Sequence, residues 1–226
     1  MANSIDRMRD LFLSPMDAIA GIKADPAWHV PASIIAVVSF LLGFLAQPFH
    51  QKILFDRLVR QFGMKRAHEV LSLANSADLL PILSVPLVIL GKCIVATAVI
   101  FSAALLFRGS HPSWKPLMAA VVHAELILLL MAVVNLVLVE LKGAGTVHSV
   151  RDLQPIIGLD YVCRSFVKNP AVLLVLKNAN IFSAWYMGVL VCCVSAICEL
   201  RMWQSFIIVV FTWLAMTAVK VLLWQQ

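Results

Sequence analysis

Apolar residues in this chain collect in long blocks divided by short polar connections. Five blocks stand out, at about 31–49, 79–107, 114–141, 171–198 and 203–224. Each holds roughly 19 to 29 residues, enough at 1.5 Å per residue to cross a hydrocarbon layer of about 30 Å as a helix. Trp28 stands before the first block as an interfacial anchor, and Pro48 is expected to close it. The second is long enough to tilt, or to kink at Pro86, and the third is entered through Pro112 and Pro116 and left through Gly143-Ala144-Gly145. The fourth follows Asn169-Pro170. Only Glu199, Leu200, Arg201 and Met202 separate it from the fifth, which makes those two spans an antiparallel hairpin. The pattern predicts an all-α integral membrane protein with five transmembrane helices.

Shorter amphipathic segments lie outside the spans. Residues 1–30 form an N-terminal segment before the membrane domain of 31–226, with Ile5, Met8, Leu11 and Phe12 recurring at helical spacing among charges. Ser14-Pro15 resembles a cap followed by a first-turn proline, opening a second short helix with Met16, Ile19 and Ile22 on one face and Asp25-Pro26 at its end. Both helices are expected to lie in the membrane interface. Between His50 and Asp78, Ile53, Leu54, Leu58, Val59 and Phe62 share a face displaced from Lys52, Arg57, Arg60, Lys65 and Arg66, a basic amphipathic helix suited to anionic headgroups. Residues 153–167 are broken by Pro155 and Gly158, and their apolar side chains are also placed at the interface.

Composition sharpens the class. Of 226 residues, 62% are hydrophobic and 13% charged, whereas a soluble domain carries about a quarter charged residues. Lys and Arg number 18 against 12 acidic residues, but they are dispersed, without the basic, aromatic-interleaved surface that nucleic acid requires. Five cysteines, four of them inside apolar stretches, argue against a disulfide framework. Without CxxC or HExxH spacing no metal site is expected, and no cofactor motif is present. Acidic residues mixed with basic ones near Met1 do not make a cleavable leader, and no lipidation signal occurs.

Orientation is ambiguous from charge. Arg7, Arg9, Lys23, Arg108, Lys115 and Arg201 fall on the N-terminal side, while Lys52, Arg57, Arg60, Lys65, Arg66, Lys142, Arg151, Arg164 and Lys168 fall on the other. The positive-inside tendency alone puts the N-terminus outside.

Ionisable residues within the spans are the strongest pointers to a site, because a charge at mid-bilayer costs about 2.5–3.5 kcal/mol on insertion scales. Lys92, Glu125 and Lys177 are such residues. Counted from the connection between the second and third spans, Lys92 and Glu125 differ in depth by roughly 6 Å, which a lysine stem covers. They are candidates for an intramembrane ion pair that either fixes helix register or binds a proton, ion or lipid headgroup. Asn135, Lys177 and Asn178 could extend a polar seam from Glu125, although such seams are more often packing devices. His123 lies two residues before Glu125 and faces away from it. No GxSxG or comparable motif supports a catalytic relay, so no catalytic residue is assigned.

Two stretches carry a family resemblance. Leu11-Phe12-Leu13-Ser14-Pro15, then Ala18-Ile19 and Asp25-Pro26-Ala27-Trp28, resembles the opening of prokaryotic members of the Yip family, the Ypt/Rab-interacting protein domain. Asn180-Ile181-Phe182-Ser183-Ala184-Trp185-Tyr186-Met187-Gly188-Val189-Leu190, followed by a polar turn and an apolar helix containing Trp213, is similar to its closing hairpin. Pro15, Pro26, Phe182, Trp185 and Gly188 are the positions that match. The resemblance implies a five-helix membrane fold in the bacterial inner membrane with a cytoplasmic N-terminus, against the charge count. Eukaryotic relatives work in vesicle trafficking with prenylated small GTPases; this chain lacks their long N-terminal region and Tyr-Gly-Pro motif, so GTPase binding is not carried over. The expectation is a non-enzymatic membrane-organising, assembly or lipid-associated protein, acting with a membrane-protein partner or a second copy of itself. The alternative is a small transporter or permease subunit for an ion, proton-linked solute or lipid, using Lys92 and Glu125.

Overall fold

A computed structural model describes residues 4–74, 79–108, 112–147, 152–154 and 156–224. The expected breaker Pro155, Arg151 and the turn residues 109–111 lie outside the described residues. The chain is 86% helical, with no strand among the described residues, as the apolar blocks require. In hydrocarbon every backbone N–H and C=O must find a partner within the chain, and a helix supplies these locally.

The helices are α1 Ser4–Leu13, α2 Pro15–Ala24, α3 His29–Phe62, α4 Met64–Ala74, α5 Leu79–Arg108, α6 Trp114–Lys142, α7 Leu159–Cys163, α8 Pro170–Asn178, α9 Ile181–Cys198 and α10 Met202–Trp224. Five are long and apolar enough to cross a membrane: α3, α5, α6, α9 and α10. Two differences from the sequence pattern stand out. Pro48 does not close the first span, since α3 runs on to Phe62 with Pro48 in its interior. A proline removes one helical hydrogen bond, but the amphipathic residues after it continue the same helix, and Gly63 at φ +81° ends it instead. The block expected at 171–198 is two helices, broken at Ala179 and Asn180. Each is capped by an asparagine: Asn169 accepts from the N–H groups of Ala171 and Val172, and Asn180 from that of Ser183.

The chain forms two compact units. The first comprises Met1–Ile34, Leu90–Leu128 and Ile157–Gln226, and the second Ile35–Ile89 and Leu129–Ile156. In the second unit Phe49, Ile53, Val139 and Val147 form a small core, with Leu136 and Leu153 packed on it. The ring of Phe55 on α3 meets that of His68 on α4, with centroids 4.9 Å apart. Arg57, Arg60, Lys65 and Arg66 are exposed and Ile53 is turned inward, whereas Leu54 and Phe62, expected on the same apolar face, are 40% and 54% exposed.

In the first unit α1 folds back on α2. Leu11, Ala18 and Ile22 have no exposed surface, and Ile19 is buried with them. Arg7 is also buried: its guanidinium donates to the Asp25 backbone carbonyl and, at 2.8 Å, to the Asp25 carboxylate. Gly21 makes room for its stem, since a Cβ there would stand 3.0 Å from Arg7 Cδ. Phe12 packs edge-on against Trp185 of α9, centroids 5.4 Å apart. The end of α5 and the start of α10 meet through Phe107 and Trp203. At the α9–α10 turn, Glu199 adopts a left-handed φ of 52°, while Ser195 Oγ donates to the Leu200 carbonyl at 2.8 Å and the Arg201 N–H donates to Gln204 Oε1 at 3.0 Å.

Gly158 sits against the last turn of α8. A Cβ there would clash with the Lys177 carbonyl oxygen and lie 2.8 Å from Lys177 Cα, backbone atoms that cannot swing aside. The neighbouring Leu159 N–H donates to the Ala179 carbonyl at 2.9 Å, closing the junction. Gly158→Ala is therefore expected to destabilise the protein by about 1–3 kcal/mol through overpacking, read as a lower unfolding temperature in detergent, whereas Gly188→Ala, where an added methyl meets nothing within 4 Å, leaves it nearly unchanged.

Candidate functional site

Lys92 on α5 and Glu125 on α6 are brought together. Lys92 Nζ donates to Glu125 Oε1 at 2.5 Å. The Glu125 side chain is 6% exposed and that of Lys92 36%, so the glutamate is buried and the lysine partly open. The lysine stem spans the offset in depth that residue counting gives.

One turn beyond Cys93, the buried Thr97 hydroxyl bonds to the Cys93 carbonyl at 2.7 Å and lies 3.4 Å from Met118 Sδ on α6. Small buried residues, Ala119, Ala120 and Ala124, line α6 on either side of His123. Glu125 Oε2 is buried with no hydrogen-bond partner. Tyr186 of α9, itself buried, lies within electrostatic reach of Glu125 and Cys93. The carboxylate thus faces a protein interior, where an unpaired charge is costly and a lysine partner offsets part of that cost.

His123 turns from this pair, as its place in the helix dictates. It has no exposed surface; Nδ1 is 2.7 Å from the Ala119 carbonyl of the preceding turn, and Nε2 is buried with no partner. The Arg7 guanidinium lies within its electrostatic reach. The one ring bond of His123 is therefore to its own helix. None of the five cysteines is in a disulfide, and no group of three or more His, Cys, Asp or Glu able to hold a metal occurs among the described residues.

The other polar candidates answer backbone groups. Asn135 Oδ1 accepts from the Ile156 N–H at 3.2 Å, tying α6 to the segment before α7. Asn178 Nδ2 donates to the Leu174 carbonyl at 2.7 Å within α8. Lys177 lies in the last turn of α8, its backbone held against Gly158.

The family-like positions have structural roles. Pro15 opens α2, and Pro26 follows the Asp25 that ends it. Phe182 and Trp185 are half-buried on α9, while Gly188 is exposed. In the Asn180–Ser183 stretch the Asn180 side chain accepts from the Ser183 N–H at 3.0 Å, and Ser183 Oγ donates to the Asn178 carbonyl at 2.5 Å. That pattern is a helix start, with Asn at the cap and a polar residue three positions on. Sequence reasoning had placed Arg7 among surface charges and missed its burial. The only local hints were the glycine at Gly21 and the acid at Asp25, neither distinctive without the fold.

An all-α chain with five apolar spans and, among the described residues, a Lys92–Glu125 ion pair between adjacent spans is an integral membrane protein. The Yip1 domain matches residues 9–223, and the chain belongs to that family. No curated protein and no solved structure matches it.

Removing either partner of the pair strands the other. Lys92→Met and Glu125→Gln are each expected to lower stability in detergent by about 2–3 kcal/mol, below the range for fully buried pairs because Lys92 is 36% exposed. A double-mutant cycle is expected to give a coupling of about 1–2 kcal/mol, with protein level recovering in the double mutant. Single mutants with normal level and stability but a lost phenotype would instead assign the pair to transport.

Proposed function

We propose that this protein is a non-enzymatic membrane-organising, assembly or lipid-associated partner, resident in the bacterial inner membrane with its N-terminus on the cytoplasmic side. The observation that supports this reading is how little of the apolar helical surface the chain uses on itself. In the most apolar windows of α3 and α5 only 22% of residues are buried, and in that of α10 28%, against 61% in α6. Helices that leave most of their apolar surface outward contact acyl chains or the helices of another membrane protein, including a second copy of this chain. The exposed Arg57, Arg60, Lys65 and Arg66 add attraction to anionic headgroups or acidic partners. Family membership is consistent with a role in organising membranes rather than in chemistry.

Affinity capture of the full chain from mild detergent tests this. A second copy, a specific membrane protein, or anionic phospholipid enriched over the bulk membrane is expected to co-purify. A monomer carrying lipid of bulk composition overturns the reading.

A further inference from the structure

The N-terminal pair α1–α2 is tied to α9 at two levels. At the C-terminal end of α9, Lys23 Nζ donates to the Ala196 carbonyl at 3.0 Å and lies 4.0 Å from Glu199 Oε1. Toward its other end, Phe12 packs on Trp185. Trp185 and Ala196 are eleven residues apart, which is about 16 Å along a helix. A helix resting in the interface sinks only about 5–10 Å, and half a hydrocarbon core is about 15 Å. Because α9 is a membrane span, the bend between α1 and α2 follows it well past the depth of a surface helix.

The side chains grade in the same direction. At the open end Arg7 is clipped to Asp25 and Lys23 reaches Glu199, while midway along α1 Arg9 bonds to Asp10 at 3.0 Å and lies 3.8 Å from Asp6. At the bend the large exposed side chains are apolar, Leu13 at 73% and Met16 at 69%, with the small hydroxyl of Ser14 exposed between them. Helical side chains lean toward the helix N-terminus, which carries the acids and arginines of α1 toward the open end. Asp17 is the one exposed acid near the bend, and it stands in the first turn of α2, where the helix dipole favours a negative charge.

We propose that α1 and α2 form a re-entrant hairpin that enters one leaflet bend-first beside α9 and presents Leu13 and Met16 to lipid acyl chains. The inference goes beyond the functional reading above and does not depend on it, since it concerns where this segment sits whatever partner the chain serves. The hairpin adds its cross-section to a single leaflet, a lipid-contacting surface that a helix lying on headgroups would not provide.

Hydroxyl-radical footprinting of the unmodified full chain in phosphatidylethanolamine–phosphatidylglycerol vesicles tests it. Met64 is a fair reference, being 61% exposed next to Gly63 at the far end of α3. Acyl chains around Met16 are expected to slow its oxidation at least about fivefold relative to Met64, although the two are similarly exposed in the protein. Equal rates overturn the proposal. As a second measurement, nitroxide labels at Leu13→Cys and Lys23→Cys, with the native cysteines replaced by alanine, are compared for collision with oxygen and with a water-soluble nickel chelate. The label at position 13 is expected to favour oxygen and that at 23 the chelate. Chelate access at both positions overturns the proposal, and a position-13 label immobilised and shielded from both reagents overturns it in favour of a protein occupant.

Discussion

Hydrocarbon offers no hydrogen bonds and little screening, and the organisation of this protein follows from that deficit. Backbone groups are satisfied within helices, which is why the described residues contain no strand and why connections such as 199–201 are compact and internally bonded. The same deficit governs the side chains. An ammonium and a carboxylate that would be commonplace on a soluble surface become, at Lys92 and Glu125, a contact between adjacent spans whose loss strands a charge.

The remaining polar groups show how the chain interrupts a span without exposing its backbone. Where the block 171–198 breaks, Asn180 and Ser183 take up groups at the new helix start, and the Leu159 N–H takes the Ala179 carbonyl. Gly158 permits that approach because any side chain would strike the Lys177 backbone. The break is packed against a glycine 21 residues before Ala179, a dependence that local helix pattern does not carry. Asn135 does similar work in the other unit, holding the Ile156 N–H from within α6.

The N-terminal pair extends the theme to an arginine. Arg7 is 3% exposed, and its charge is met by both the carboxylate and the backbone carbonyl of Asp25, beside the space left by Gly21. This buried clip joins the ends of the two short helices, and Phe12 on Trp185 with Lys23 on the Ala196 carbonyl ties the pair to α9. The most apolar windows of α3, α5 and α10 are likewise lightly buried, at 22%, 22% and 28%, as helices that meet lipid require.

Much of this was legible in the sequence. Apolar blocks of membrane-spanning length, the short turn at 199–202, the basic amphipathic pattern after His50 and the rarity of intramembrane charge depend on local composition and helical period, so they survive without knowledge of the fold. Counting residues from a shared turn also placed Lys92 and Glu125 within reach of each other, because antiparallel neighbours have a common depth scale. Tertiary structure alone decided the rest: that α3 continues through Pro48, that the fourth block divides at Asn180, that Arg7 is interior, and that α2 runs beside α9. Each of these turns on contacts between residues far apart in the chain, such as Phe12 with Trp185 or Gly158 with Lys177. Periodicity states which face of a helix is apolar, and only packing states what that face meets.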